Sequence, residues 1–350
     1  MRPATEPGDR REAVRLMGLD RDDGTFTDHR FEELSELLRP GDLLVVNDAA
    51  TLPASLRGSA HGHPVELRLL GPADDDLFHA IVMGAGNWTV DTDARPAPPL
   101  LCAGDAIELG DGFEARVVSR LPLSDRLLAV RFNRVDEALW AALYAHGRVV
   151  QYAHVREPLE LWSAQTVYGG RPWAAEMPSA GRPLTWSILQ QARRRGVSLA
   201  AITHAAGLSA TGDPVIDAAL PLPERYDIPA ATVAAVAGTR RAGGRVIAVG
   251  TTVVRALEGS VLRNGGQLVA GEGVTDLIVG PGFAPRIVDG ILSGIHSPHE
   301  SHFQLLLAFA DADLLHRAWE HAVDVGYLCH EFGDTSLILG SARAAGSSTR

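Results

Sequence analysis

The chain has 350 residues, is 46% hydrophobic and 21% charged, and carries a formal net charge of −11. This is the composition of a folded protein, which excludes disorder over most of the length, and the length asks for one large domain or two modest ones. All 32 basic residues are arginine, so Schiff-base lysine chemistry and the phosphate-loop lysine of nucleotide hydrolases are excluded.

No apolar run reaches the roughly 18 residues of a membrane span, and the charged start has no apolar stretch behind it. Cys102 and Cys329 alone cannot make a disulfide framework or a zinc cage. A soluble, unexported, cytoplasmic protein with no membrane contact is expected. The acidic balance weighs against a nucleic-acid partner without excluding a local basic patch.

In chain order, a strand is expected at 14–17, ending in a turn at Asp22-Asp23-Gly24. Helical spacing over 31–38 stops at Pro40-Gly41. The apolar run 43–46 reads as a buried strand ending at Asn47-Asp48, where α/β proteins tend to place ligand groups. From about 54 to 132 the texture changes: short alternating runs at 65–70, 78–83, 106–109 and 115–118 are separated by Gly, Pro and Asp. This is an inserted all-β module, with a loop at 94–99. From about 135 helices return, at 136–145, 184–194 and 230–241, with strands at 197–203 and 245–249. A helix to about 262, a strand at 275–279 and a long helix containing 303–309 follow, and then a small polar tail. The fold class is therefore α/β, with the main domain built from both ends of the chain around the insert.

Several segments carry chemistry. In VGTTVVRALE (249–258) a buried strand runs through Gly250 into a helix whose first turn holds Thr251 and Thr252. Free N–H groups and two hydroxyls make an anion cradle that Arg255 can reach, although either threonine would equally serve as a plain N-cap. His204 follows a strand and opens a small-residue loop, as an acid–base group or a structural histidine. His296, His299 and His302 invite a metal reading, but Pro298 sets a helix start among them, so no metal is expected and His296 is read as an active group. Asp334 can bind a ligand hydroxyl or cap a turn. Tyr168, in QTVY, and Ser179, Ala180 and Gly181, in PSAG, precede a helix and offer backbone donors.

Taken together, RPGDLLVVND (39–48), LPA (52–54), QTVY (165–168), PSAG (178–181), VIAVGTT (246–252) with RALE (255–258), PGF (281–283), Val288-Asp289, His296 with Pro298, and Gly333-Asp334 resemble the S-adenosylmethionine:tRNA ribosyltransferase-isomerase family of queuosine biosynthesis. The change of periodicity divides the chain into an α/β domain over 1–57 and 135–345 and an insert at 58–134. The resemblance implies the same architecture, with the donor site in the α/β domain and a small β-barrel as the insert. It implies S-adenosylmethionine as ribosyl donor, a 7-aminomethyl-7-deazaguanine base in tRNA as acceptor, and adenine and methionine as leaving groups. On the matching positions it implies His296, His204, Asp334 and Glu224 as catalytic candidates. Gly250, Thr251, Thr252, Arg255, Asn47, Asp48, Ser179, Ala180, Gly181 and Tyr168 are the donor-binding candidates.

The sequence departs from the family pattern at charged positions. Ala50 and Ser55 stand where the family has arginine, Arg182-Pro183-Leu184 replaces Leu-His-Phe, and Pro223-Glu224 lacks a preceding histidine. With the net charge, these departures lead us to expect donor binding kept and tRNA binding weak. A small-molecule acceptor, or a non-catalytic binding protein keeping the fold, are the alternatives.

Overall fold

The structure is a computed structural model that describes residues 1–73 and 77–342. The expected polar tail lies outside the described residues from position 343 on.

Leu43–Asn47 is buried along its whole length. Leu43 and Val45 enter one core with Val246 and Ala248, while Leu44 and Val46 enter another with Ile247 and Val249. Burial on both faces is why these strands read as continuous apolar runs rather than alternating ones. Leu43–Asn47 is parallel to Ser198–His204 on one side and to Val246–Val249 on the other, and the latter is parallel to Gly290–Gly294. Thr335–Leu339, Arg15–Asp20 and Thr25–Arg30 extend one flank, and Glu224–Ile228 and Gly271–Thr275 the other, giving nine strands. Arg15–Asp20 pairs in parallel with Thr335–Leu339, so both ends of the chain build this sheet.

Ala230–Arg241, Thr251–Arg263 and Ala312–Asp324 cover one face through Val236, Val254, Leu257 and Leu315. Leu34–Leu37 and Trp186–Arg194 cover the other through Leu34, Ile188 and Leu189.

The inserted module is a closed antiparallel barrel. Its strands run Ser55–Ala60, His63–Pro72, Leu77–Met83, Leu127–Phe132, Phe113–Arg120 and Ala106–Gly110, and Ser59 pairs with Glu108 to close it. Leu56, Leu67, Val82 and Val130 fill the core, where the rings of Phe113 and Phe132 stack at 5.1 Å.

The unit extends past the expected boundaries. Ser55–Ala60 already belongs to the barrel, and the helix Asp136–His146 packs Leu139, Ala142 and Leu143 into the same core. Its helical spacing resembles that of the main domain's helices, but its apolar stripe faces barrel side chains, with Trp140 edge-on to Phe78. Two further expectations shift. The strand expected at 275–279 lies at Gly271–Thr275, and the long helix is two, Ser301–Leu306 and Ala312–Asp324.

Candidate functional site

Leu43–Asn47 is flanked by strands that the chain reaches through helices on opposite faces of the sheet, a switch point beyond whose C-terminal strand ends α/β proteins place ligands. Asn47 ties the ends together. Its Oδ1 accepts from the N–H of His204 (2.9 Å) and of Ala49 (3.1 Å), and its Nδ2 donates to the His204 carbonyl (3.0 Å) and to Thr252 Oγ1 (3.3 Å). Asp48 accepts from Thr203 Oγ1 (2.6 Å), and burial pushes its carboxyl above the ordinary value despite that bond.

The N-cap of Thr251–Arg263 is Gly250 itself, with no side chain capping the first turn. Thr251 and Thr252 therefore lie inside the helix, and the first-turn N–H groups and the helix dipole remain open to an anion. Gly250 sits at φ +90° and ψ 158°, a region open essentially to glycine alone. A Cβ built on it lies 3.6 Å from Ala180, so the Ser179–Gly181 turn abuts the helix start. Tyr168 donates to the Gly181 carbonyl (3.3 Å), and burial with the neighbouring Asp48 pushes its phenol well up.

Arg255 does not serve the cradle directly. It is buried, donates to the Leu277 carbonyl (3.0 Å), and forms an ion pair with buried Glu224. Glu224 also accepts from the Gly207 N–H (2.7 Å), yet burial still raises its carboxyl above the ordinary value. His204 is fully buried, with Nε2 3.4 Å from Glu224 Oε2 but neither ring nitrogen in a hydrogen bond. Burial first, and then the Arg255 charge, push the imidazole down to about 3, so it is neutral.

His296 follows Gly290–Gly294. Its Nε2 lies 3.1 Å from Ser293 Oγ and its Nδ1 3.1 Å from Glu300, and its ring stacks on His302 at 4.8 Å. Burial opposes ionisation of Glu300, but the His296 bond holds its carboxyl below the ordinary range. Burial first, and then His296, depress His302 to about 3.

Asp334 is engaged elsewhere. It accepts from the Arg15 N–H (2.7 Å), Arg15 Nη2 (2.9 Å) and the Leu328 N–H (2.8 Å), clamping a strand to a turn. The carboxylate expected to bind a ligand hydroxyl or cap a turn thus caps the turn at Leu328 and clamps it to Arg15, 319 residues away.

The expected histidine triplet does not gather into a set of ligands. Among the described residues, His154, His330 and Glu331 bring ligand atoms within 4.8 Å of one another, and a 2.6 Å bond between His154 and Glu331 satisfies that pair without an ion. Sequence reasoning missed Glu176. It accepts from Tyr152 and from the Ser209 N–H (2.8 Å), and burial pushes its carboxyl up to about 7. Its place just before PSAG was the available signal.

A family model described as "Queuosine biosynthesis protein" matches residues 2–338. The chain belongs to that family. A Trichlorobacter lovleyi protein named S-adenosylmethionine:tRNA ribosyltransferase-isomerase is 33% identical over 343 residues, 96% of each chain. One of the same name from Thermosynechococcus vestitus is 35% identical over 97% of this chain and 93% of its own. The crystal structure of the S-adenosylmethionine tRNA ribosyltransferase from Thermotoga maritima aligns with a TM-score of 0.52, at 26% identity over 96% of both chains. Family membership and that likeness agree with an α/β domain carrying an inserted barrel.

Proposed function

We propose that this chain is an S-adenosylmethionine-dependent transferase and isomerase that moves a ribosyl group onto a 7-deazaguanine base of tRNA in the cytoplasm. The observation that carries the reading is the uncapped start of Thr251–Arg263, set beside half-buried Asp48 and the fully buried His204. Asp48 and the start of Thr251–Arg263 lie within the segments that resemble the family. S-adenosylmethionine supplies a sulfonium that acidifies the neighbouring C5′ hydrogens, so a positioned base starts the chemistry.

The first-turn N–H groups bind the methionine carboxylate, and Asp48 takes the ammonium. Burial raises the Asp48 carboxyl, and a cation placed beside it favours the ionised form. Arg255 positions Glu224, and Glu224 in turn holds the Gly207 loop against His204. His296 accepts the proton, its ring fixed by Glu300.

The expected loss of tRNA binding finds no support: relatives at about a third identity over nearly the whole chain are named for tRNA. No observation favours a small-molecule acceptor. The test is adenine release from S-adenosylmethionine, followed by chromatography with and without tRNA carrying the precursor base. Release that requires the tRNA, and falls at least a hundredfold in His296→Gln, is expected. No release with that tRNA would sink the reading.

A further inference from the structure

Ser55 stands where the family pattern places arginine, and the barrel ladder shows what surrounds it. Across one edge its partner is Arg148, and across the other it is Arg68. Residues opposite one another in a ladder share a face, so an arginine lies on either side of the serine. Arg57 lies two residues along the same strand and sets its guanidinium over the Trp88 ring at 4.9 Å. Ser55, Arg57, Trp88 and Arg148 line one pocket together with Glu66 and Gln151.

The charge in this place is unbalanced. Glu66 is buried between Arg68 (2.7 Å) and Arg95, and it also accepts from Ser55 Oγ (2.8 Å). Arg57 and Arg148 are exposed and have no anionic partner among the described residues. Buried Arg68 keeps Nη1 without an acceptor, and Trp88 keeps Nε1 without one. Arg57 and Arg148 add two unpaired guanidinium groups beside the Glu66–Arg68–Arg95 cluster, and in a chain of net charge −11 they make a local anion site. An exposed guanidinium pair beside an indole suits a phosphodiester with an adjoining base, since phosphate contacts position nucleic acid and aromatic rings stack on bases.

We infer that this pocket grips the backbone of the tRNA acceptor, Arg148 and Arg57 supplying the positive charge that the family pattern places at position 55. The inference rests on the tRNA reading above. Both arginines are positioning residues outside the reacting centre, so their loss should act on tRNA affinity and leave donor binding alone.

The test is a mobility-shift titration with precursor-bearing tRNA at several salt concentrations. It compares wild type, Arg57→Ala/Arg148→Ala, Arg57→Lys/Arg148→Lys, and Arg193→Ala/Arg194→Ala on the exposed end of Trp186–Arg194. The alanine pair should lose at least tenfold in affinity, and its salt slope should fall by about 2. The lysine pair should recover most of both, and the Arg193/Arg194 pair should match wild type. The KM for tRNA should rise in the alanine pair with kcat kept, and S-adenosylmethionine affinity by calorimetry should not move. An alanine pair that binds tRNA as wild type does, with the same slope, overturns the inference and leaves the function standing. A wild type that binds no tRNA overturns the function itself.

Discussion

Arg255→Ala tests the electrostatic centre of the candidate site. Arg255 is 5% exposed and its partner Glu224 9% exposed, so water screens the pair little. Removing the guanidinium strands a buried carboxylate and also deletes the bond to the Leu277 carbonyl. Breaking a buried pair from one side costs about 3–5 kcal/mol, and the lower half of that range suits a carboxylate that keeps the Gly207 N–H. We expect a loss of about 3 kcal/mol in urea unfolding followed by tryptophan fluorescence. Arg255→Met/Glu224→Gln removes both charges and leaves Gly207 an acceptor, so it should recover about 2 kcal/mol of that loss.

The pH dependence has a sign. Burial already raises the Glu224 carboxyl, and the Arg255 charge is what opposes the rise. In Arg255→Ala the folded value climbs further. The deficit against wild type is then largest at neutral pH and narrows as pH falls towards the ordinary carboxylate value of 4.5. A deficit under 1 kcal/mol, or a double variant no better than the single one, would refute this account of the pair.

Three further substitutions follow from the geometry. Gly250→Ala meets only ordinary contacts at 3.6 Å, so its cost of about 1–3 kcal/mol is backbone strain at φ +90°; urea unfolding should show it, and calorimetry should show weaker S-adenosylmethionine binding. The Glu176 carboxyl, raised to about 7, stabilises the fold fully below its unfolded value, and that stability is lost as pH rises through about 7. Glu176→Gln should therefore flatten the melting temperature between pH 5 and 8, and an unchanged profile would remove Glu176 from the account. Asp334→Ala frees Arg15 and the Leu328 N–H, so it should cost about 2–4 kcal/mol of stability while the folded fraction binds S-adenosylmethionine with unchanged affinity. A selective loss of affinity would make Asp334 a ligand group after all.

The parallel centre of the sheet was legible because burial on both faces leaves residues 43–46 and Val246–Val249 no polar positions. Gly271–Thr275 was not. It is an edge strand of sequence GEGVT, mostly exposed, and it is held to Glu224–Ile228 by the ladder and one ion pair, Arg225 to Glu272 at 2.7 Å. Gly273 lies under the Tyr226 ring, where a Cβ would come within 2.5 Å, so packing selects a glycine that propensity disfavours in a strand. The break between Ser301–Leu306 and Ala312–Asp324 was hidden because apolar spacing continues through Phe309.

The site divided in the same way. Asn47, Gly250 and the PSAG turn sit where strand ends and helix starts bring them together, and local patterns mark those places. The charged partners of Arg255 and Asp334, Glu224 and Arg15, are 31 and 319 residues away, a separation that no local pattern encodes. Arg148 beside Ser55 is a further case, since the charge missing at one position stands across the ladder on another strand.

The most direct measurement of the central claim is transfer of label from ribose-labelled S-adenosylmethionine into tRNA carrying 7-aminomethyl-7-deazaguanine. The account predicts label in the tRNA in proportion to enzyme turnover, with adenine and methionine released alongside, and none in tRNA lacking that base. Tight S-adenosylmethionine binding with no label entering the precursor-bearing tRNA would contradict it.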